Sequence, residues 1–286
     1  MKAGRTALPK RRHGMVLIAV LWIVAALAVI VTGVTHAVRN EARVASVARQ
    51  SAVAQGLGDA AITLVLQQMV ALPKPPSQQV VVETSYRGSS IAVEVTPLNG
   101  LIDINLAPPA LLAALYTIAG GVTPGAAQAL AAATLKVRSQ KDLRGSSLGF
   151  EAIEDLLRVP GFDYDLYARL FGLVTADIKG TGKVNPLAAP LDVLAVLADG
   201  NLSRAQTIAS QREAGAVGID TTGLNSGFID KSDVRAFRLR ARVPLSGGGW
   251  LLCNHTVFLE ANAKDGLPWR TLRSWQELAS AEAGRG

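Results

Sequence analysis

The sequence is poor in the residues that form disulfides and metal sites. It has one cysteine, Cys253, and three histidines among 286 residues. A single cysteine excludes an intramolecular disulfide, and no cysteine–histidine pair has the spacing of a metal site. Because a periplasmic protein can fold without a disulfide, this count leaves the cellular compartment open. We interpret Cys253 as a small buried side chain in a strand.

The sequence does not favour an enzyme. A hydrolytic triad would depend on His255, the one histidine beyond residue 36, and this residue stands in a predicted strand beside Asn254. The glycine-rich stretch "GGVTPG" (120–125) lacks the lysine of a phosphate-binding loop. We therefore expect a protein that is not an enzyme.

Acidic residues are absent from residues 1–14, where five basic residues lie: Lys2, Arg5, Lys10, Arg11 and Arg12. These five supply most of the net charge of +7, so the remainder of the chain carries only about +2. A nearly neutral body lacks the long-range positive field that non-specific nucleic-acid binding requires. Nucleic acid is therefore not expected as a partner.

Residues 15–38 carry no fixed charge, and only two threonines and one histidine among them are notably polar. About 20 apolar residues suffice to cross a bilayer as a helix, whereas the hydrophobic region of a secretory signal is shorter, about 7–15 residues. The helical spacing of apolar residues continues without a breaker as far as Pro73. The sequence predicts a transmembrane helix over 15–38 that continues as an amphipathic stem helix over 39–72.

Two separate regions show the alternation of β-strands. Residues 80–95 alternate around Arg87-Gly88-Ser89 and predict a hairpin. Residues 237–259 repeat the pattern around three glycines, and "WRTLRSWQE" (269–277) adds a last strand. The prediction is a β-sheet built from residues 73–98 and 236–278, followed by a flexible tail over 279–286.

The residues between these regions, 99–235, have helical character. Prolines and polar residues mark several helix starts, and Asn105, Thr123 and Ser203 are the predicted N-caps. "DINLAPPALLAAL" (103–115) and "NPLAAPLDVLAVL" (185–197) align at their Ala-Pro pairs and place leucines on one face. The sequence predicts an α-helical domain that is inserted between strands and contains two similar units.

The junction "RRHGMVLIAV" (11–20) suits a secretory signal, an uncleaved anchor, or a leader that a dedicated peptidase trims. It resembles the junction of type IV pilins and pseudopilins, which implies cleavage between Gly14 and Met15 and removal of residues 1–14. Most members of that class carry a glutamate at the fifth position of the mature chain, where this sequence has Ala19. Since a buried carboxylate needs a partner, its omission is tolerated at a filament end, where one side of the contact is absent.

Three further stretches resemble the signatures of the K-type minor pseudopilin family, the general secretion pathway protein K family: "GLIDINLAPPALLAAL", "FEAIEDLLRVPGFDYDLYARL" and "GTGKVNPLAAPLDVLAVLADG". The resemblance runs from Gly14 to about Gln276. It departs from the family pattern at Leu106, Leu187 and Ala188, where polar residues usually stand. It implies an α+β fold, with a pilin-like long N-terminal helix on an antiparallel sheet and a large α-helical domain inserted between strands.

The resemblance also implies a function. Members of the family are minor pseudopilins at the tip of the type II secretion pseudopilus, where they help to initiate assembly and protein export across the outer membrane. The implied partners are the I-type and J-type minor pseudopilins, the H-type and major pseudopilins, the prepilin peptidase and the inner-membrane assembly platform. The implied location is the bacterial inner membrane, with a single-pass helix, a methylated mature N-terminus and the C-terminal domain in the periplasm.

Two other functions stay open at this point. "LLRVPGFDYDLYARL" (156–170) also resembles a helix-hairpin-helix, which would suit a membrane-anchored, DNA-handling protein of a pilus or transformation system. Asp163 and Asp165, however, stand where basic residues would meet a phosphate. The other alternative is a membrane-tethered binding module that keeps its leader.

Calcium is implied only by the family resemblance. Asp220, Asp230 and Asp233 flank "TTGLNSGF", and Asp103 and Asp177 lie near predicted strand ends. Calcium takes about six to eight oxygen ligands, and this stretch lacks the dense aspartate spacing of a calcium loop. We interpret these acids as solvated surface groups, expect no cofactor and assign no metal ligands.

Overall fold

The computed structural model describes residues 13–141, 145, 147–178, 180–260 and 266–280. Within these ranges, the side chains of residues 13–16, 29–40, 42 and 43 are not described. The chain divides into two compact units, residues 1–53 and residues 54–286. Residues 1–12 of the predicted leader and residues 281–286 of the predicted tail lie outside the described residues.

Helix α1 (His13–Ala71) covers the apolar segment and nearly all of the predicted stem. It ends just before Pro73, because proline offers no N–H and clashes with the preceding turn. Its end at Ala71 lies one residue before the predicted end of the stem helix, residue 72. Within the unit 54–286, α1 buries a stripe at helical spacing, formed by Ala54, Ala61, Ile62, Val65, Leu66 and Met69.

Seven strands lie in the described chain: β1 (Val80–Tyr86), β2 (Ser89–Pro97), β3 (Ile102–Asp103), β4 (Val174–Thr175), β5 (Ala236–Pro244), β6 (Trp250–Leu259) and β7 (Trp269–Ala279). Five of them form an antiparallel sheet in the order β1-β2-β5-β6-β7, whereas β3 and β4 pair in parallel. The molecule is thus an α+β protein with an antiparallel sheet. Because β7 continues to Ala279, the tail predicted from that residue begins too early.

The first hairpin turns in two residues. Arg87 and Gly88 have φ angles of 50° and 81°, and Tyr86 pairs directly with Ser89. Two consecutive residues of positive φ form a two-residue hairpin turn whose backbone twist matches the right-handed twist of the flanking strands. The predicted hairpin is present, with Ser89 in the strand instead of the turn.

The two faces of the sheet differ in chemistry. The face that packs against residues 54–69 of α1 is apolar and includes Ile91, Val93, Val95, Phe237, Leu239, Ala241, Val243, Leu251, Cys253 and Val257. The opposite face carries polar residues at the alternate positions, among them Glu94, Arg238, Arg240 and Thr256. The prediction that Cys253 is a buried strand residue is confirmed.

A helical segment with its own apolar core separates β2 from β5. Its α-helices are α2 (Pro109–Ile118), α3 (Pro124–Arg138), α4 (Tyr164–Leu170), α5 (Leu191–Leu197) and α6 (Leu202–Glu213), and its 3-10 helices are Leu98–Gly100 and Ile153–Arg158. The stretch "GFEAIEDLLRVPGF" (149–162) contains only the second of these 3-10 helices. Pro97 of β2 pairs with Phe237 of β5, so this insertion leaves and rejoins the sheet at neighbouring positions.

The predicted cap of α2 is wrong. The helix begins after Pro108, and no side chain caps it. Asn105 instead exchanges two hydrogen bonds with Phe150: its Nδ2 donates to the carbonyl at 2.9 Å, and its Oδ1 accepts from the N–H at 2.7 Å. Proline at a helix start lacks one N–H that would otherwise need a partner, so the side-chain cap is less necessary there.

Of the other two predicted caps, one is correct in position only. Thr123 occupies the N-cap position of α3, but its side chain makes no capping hydrogen bond. At α6 the cap is Asn201, whose side chain accepts a hydrogen bond from the N–H of Arg204 at 3.1 Å. Ser203 lies inside the helix, because Asn201 already provides the accepting oxygen at the position that precedes the first turn.

The two aligned stretches of the insertion adopt equivalent local structures. Asp103 and Asn185 stand at aligned positions, and each accepts a hydrogen bond from the backbone N–H two residues later, at 2.8 and 3.1 Å. Arg138 and Arg212, in the last turns of α3 and α6, each donate to the carbonyl of the aligned alanine, at 2.9 and 2.6 Å. Each stretch therefore combines a polar turn, a proline-initiated helix and a second helix whose arginine returns to the turn.

These two stretches also contact each other reciprocally. A Cβ on Gly100 would lie 2.2 Å from the carbonyl oxygen of Ala188, and one on Gly182 would lie 2.1 Å from that of Leu106. Gly100 aligns with Gly182, and Leu106 aligns with Ala188. Each glycine thus allows the backbone of the opposite stretch to approach closely. Such reciprocal contacts are expected of two units related by a pseudo-twofold axis.

Candidate functional site

The first described side chains of α1 form an apolar surface. Every side chain from residue 17 to residue 28 is exposed, and eight of them are large and apolar: Leu17, Ile18, Val20, Leu21, Trp22, Ile23, Val24 and Leu27. Leu17 and Trp22 expose 73% and 74% of their surface. Because successive helical residues are rotated by about 100°, this run presents apolar groups on every side of the helix.

A helix that is apolar on all sides requires an apolar environment. Exposed patches of this kind mark contacts with a membrane or with other proteins. The segment 17–28 is therefore the candidate functional site of the unit 1–53.

All three predicted site residues lie on α1. Gly14 and Met15 are its second and third residues, and their side-chain surroundings fall outside the described set. Ala19 is exposed, and its methyl group offers no charge to a neighbouring amino group. The predicted transmembrane segment, 15–38, includes side chains that are not described. Among the described residues, no helix has a stretch both long and apolar enough to span a membrane.

The serine and histidine side chains that a hydrolytic triad would need are bonded to other partners. The stretch 145–149, Gly-Ser-Ser-Leu-Gly, has the spacing of a nucleophile elbow, a signal that sequence reasoning overlooked. Such an elbow needs a strand-to-helix turn. Ser147 instead forms a β-bridge with Lys141, and its hydroxyl donates to the carbonyl of Arg138 at 2.7 Å. His255 lies with its Nε2 3.0 Å from Oδ1 of Asp59.

The turn that resembles a helix-hairpin-helix holds a carboxylate at its helix start. Gly161 adopts a φ of 88°, and the N–H of Phe162 donates to the carbonyl of Val159 at 3.0 Å. The carboxylate of Asp163 accepts from the N–H of Leu166 at 2.8 Å and so caps α4. A negative charge there repels the phosphate that a helix N-terminus would otherwise attract. This geometry disfavours DNA binding at the turn.

The five acids considered for calcium lie in different environments. Asp220 and Asp230 each accept from the backbone N–H two residues later. Asp233 and Asp177 form ion pairs with basic side chains at 2.8 and 3.1 Å. The expectation of solvated surface groups is wrong for Asp103, which is buried in the insertion, and for Asp177, whose side chain is only 12% exposed. Among the residues that the structure describes, no three acidic, histidine or cysteine side chains gather into a metal site. These residues do not fit a calcium site, and none is assigned as a ligand.

Arg273 on β7 joins the insertion to the sheet. Its Nε lies 3.1 Å from both carboxylate oxygens of Asp177, and a terminal nitrogen donates to Glu154 at 3.2 Å. The other terminal nitrogen donates to the carbonyl of Glu151. These partners are about a hundred residues away along the chain, so no local sequence pattern indicates the contact.

Two more arginines support the same junction. Arg238 on β5 donates to the carbonyl groups of Gly172 and Val174, at 2.9 and 3.0 Å. Arg212 on α6 donates to the side chain of Gln79 at 2.7 Å. Burial lowers the pKa of both guanidinium groups, to about 10 for Arg238. Arg238 therefore stays charged at neutral pH. Together the two arginines connect the insertion to β5 and to Gln79, the residue before β1.

Asp103 is a buried carboxylic acid at the first turn of the insertion. It exposes 2% of its surface; its Oδ1 accepts from the N–H of Asn105 at 2.8 Å, and its Oδ2 has no partner among the described residues. Burial raises the pKa of this carboxyl to about 6, although hydrogen bonds from the backbone of Asn105 and Leu106 oppose the shift. The group therefore changes its charge just below neutral pH.

The sequence matches no protein-family model and no curated protein. Among solved structures, the chain is similar to one chain in the crystal structure of the GspK-GspI-GspJ complex from the enterotoxigenic Escherichia coli type 2 secretion system. The two chains share 17% sequence identity at a TM-score of 0.46, and the alignment covers 80% of this chain and 94% of the other. This chain is thus similar, over most of its length, to a chain of a type 2 secretion complex.

Proposed function

We propose that this protein is a K-type minor pseudopilin at the tip of a type II secretion pseudopilus, where it helps to initiate filament assembly and protein export across the outer membrane. One observation carries the proposal. Residues 17–28 of α1 expose apolar side chains on every side, whereas residues 54–69 of the same helix bury theirs against a five-stranded antiparallel sheet. One helix therefore provides both an apolar assembly segment and the support of a folded domain.

The physical chemistry of the apolar segment suits assembly from a membrane. Exposing one large apolar side chain to water costs about 1.5–3 kcal/mol. The eight exposed side chains of residues 17–27 make transfer into water prohibitive. The segment leaves the membrane only when the helices of neighbouring subunits take the place of the surrounding lipid. Extraction from the membrane is therefore coupled to assembly.

Ala19 supports a position at the end of the filament. In the proposed mature chain, which begins at Met15, it is the fifth residue. A carboxylate at this position would pair with the amino terminus of a neighbouring subunit, and a methyl group cannot. A subunit without this pairing is a poor repeating unit, but it is tolerated where a neighbour is missing on one side.

The remaining parts of the proposal follow from the same role. The protein is a structural component and not an enzyme, anchored by a single helix in the inner membrane with residues 54–286 in the periplasm. It assembles with I-type and J-type minor pseudopilins and contacts the H-type and major pseudopilins and the assembly platform. The insertion between β2 and β5 blocks the addition of a further subunit above it.

Mass spectrometry of the native full-length protein tests the processing step. The expected mature chain begins at N-methylated Met15. Gly14→Val places a branched side chain at the scissile bond, and we expect this variant to keep its leader. Gly4→Val, inside the leader, is the matched control and is expected to be processed normally. An unsubstituted protein that retains Met1, or begins at unmodified Lys2, would contradict the proposal and favour an uncleaved anchor.

Assembly is tested separately. The full chain is expected to copurify with the I-type and J-type subunits in equal amounts and to form no long fibres alone. Homogeneous fibres of this chain by itself would overturn the tip assignment. A gel shift with duplex DNA tests the alternative function, and strong binding that weakens with salt would support that alternative.

A further inference from the structure

Two cavities of about 430 and 330 Å³ adjoin beside the short helices α4 and α5. Three residues line both of them: Arg169 in the last turn of α4, Leu173 just after that helix, and Asp192 in the first turn of α5. Because the cavities share these residues, they form one groove, which we call the α4–α5 groove. Its larger part continues toward α2 and α6, and its smaller part reaches the polar face of the sheet.

The larger part of the groove has an apolar lining. Leu173 and Ala195 are buried there, and Ile118 of α2 is half-buried. Leu202, the first residue of α6, lines the same cavity but exposes 57% of its surface. An apolar surface that stays exposed and is bordered by polar groups marks a site of contact with another molecule.

Arg169 and Asp192 are exposed charged residues without partners. Among the residues that the structure describes, neither side chain forms a hydrogen bond or an ion pair, with the other or with a third group. Each is tolerated alone because it stands at the favourable end of its own helix, the cation near the C-terminus of α4 and the carboxylate near the N-terminus of α5. Both groups are therefore available to a charged ligand.

The other charged groups of the groove already have partners. The carboxylate of Glu94 lies 3.9 Å from a terminal nitrogen of Arg240. Glu277 accepts from the indole N–H of Trp275 at 2.6 Å, and Arg238 donates to two backbone carbonyl groups. Within the described part of the chain, the groove therefore offers a ligand one free cation and one free carboxylate beside an apolar surface.

We propose that the α4–α5 groove docks an extended segment of a partner protein, a segment that carries an apolar, an acidic and a basic side chain close together. The acidic side chain pairs with Arg169, the basic one pairs with Asp192, and the apolar one covers Leu202. A small molecule fits the groove less well, because small-ligand sites enclose most of their ligand and these three wall residues are exposed. This docking surface does not depend on the assembly role proposed above.

Selection from a phage library of random short peptides tests the docking surface. The full chain is immobilised in detergent, and phage that bind empty micelles are removed first. We expect the enriched peptides to share an apolar, an acidic and a basic residue at a fixed spacing. Arg169→Glu should select peptides in which a basic residue replaces the acidic one, because the reversed wall charge attracts the opposite sign. The absence of a shared pattern, or the same pattern from Arg169→Glu, would overturn the proposal.

Fluorescence polarisation of one enriched peptide, synthesised with a dye, then measures each contact. Arg169→Glu and Asp192→Lys should each weaken binding at least about tenfold, because a repulsion takes the place of an ion pair. Leu202→Ser should weaken it about tenfold, because less apolar area is covered. Asp165→Lys and Val217→Ser are the matched controls, since both residues are exposed and neither lines the groove. Unchanged binding by the groove variants, or equal weakening by the controls, would contradict docking in this groove.

Discussion

Gly58 of α1 lies directly against Cys253 of β6, so that a Cβ on Gly58 would stand 2.4 Å from the Cys253 sulfur. The nearest side-chain carbon of Val243 would be 3.3 Å away. Glycine therefore permits the close approach of helix and sheet, at a helical position where alanine would otherwise be preferred. Gly56 has no neighbouring atom within 4 Å of the same point.

This difference predicts opposite effects for two neighbouring substitutions. Gly58→Ala should lower the free energy of unfolding by about 2–3 kcal/mol, because the added methyl group overpacks the helix–sheet contact. Gly56→Ala should raise it by about 0.5–1 kcal/mol, because alanine loses less backbone entropy than glycine on folding and its methyl group meets no neighbouring atom. Urea unfolding of the full chain in detergent, followed by circular dichroism, measures both.

A compensating substitution sharpens this test. Cys253→Ala removes the sulfur that the new methyl group would strike, so it should recover part of the stability lost in Gly58→Ala. Additive losses in the double variant would show that the two residues do not constrain each other.

Asp103 predicts a specific dependence of stability on pH. Its pKa of about 6 in the folded protein lies above the ordinary value of 3.8, so the folded state binds this proton more tightly than the unfolded state. Stability from this group is therefore fully present below pH 3.8 and is lost as pH rises through 6, by up to about 3 kcal/mol. Asp103→Asn has no proton to lose and should remove this decline. Urea unfolding at several values between pH 4 and pH 7.5 measures the change.

Asp165→Asn serves as the control for this titration, because Asp165 is exposed on α4. Its pH profile should follow that of the unsubstituted protein. An unchanged decline in Asp103→Asn would mean that another group is responsible.

Arg273 is expected to fasten residues 151–177 to the sheet. Arg273→Ala removes the partner of Asp177, whose side chain is 12% exposed, and should lower the free energy of unfolding by about 2 kcal/mol. The amides of residues 151–177 should also lose hydrogen-exchange protection before those of the sheet. Arg270→Ala, exposed on the same strand, should change neither quantity. Uniform loss of protection across the chain would contradict a local fastening.

Gly182 should not tolerate a side chain. Its φ is 73°, and an added Cβ would lie 2.1 Å from the backbone of Leu106, which cannot move aside as a flexible side chain could. Gly182→Ala should therefore cost more than about 3 kcal/mol or abolish folding. Gly180→Ala, where the nearest atom would be 3.8 Å away, should stay within about 0.5 kcal/mol of the unsubstituted protein. Thermal unfolding and soluble yield compare the two variants. Equal stability and yield would show that the reciprocal contact does not constrain the fold.

Local patterns predicted the regular elements well. The alternation of Phe237, Leu239 and Ala241 with arginines indicated both β5 and its buried face, because strand periodicity is visible in neighbouring residues. The end of α1 was predictable for a similar reason, since Pro73 is a local stop signal. The α+β character of the fold therefore follows from short-range information.

Contacts between distant residues were not predictable in this way. Asn105 was expected to cap a helix, but its side chain bonds Phe150, which lies 45 residues later in the chain. The roles of Arg238 and Arg273 likewise depend on which part of the insertion faces each strand. A sequence pattern indicates which face of a helix or strand is buried. It does not identify the distant residues that contact that face.

The pairing of Pro97 with Phe237 also affects how this protein can change in evolution. Because the chain leaves β2 and enters β5 at one directly paired position, the length of the intervening segment can change without altering strand order. Residues of the segment that lie away from the sheet can then vary, whereas those that Arg238 and Arg273 contact can change only together with these arginines. The junction therefore permits the insertion to differ in length while the order of the strands stays the same.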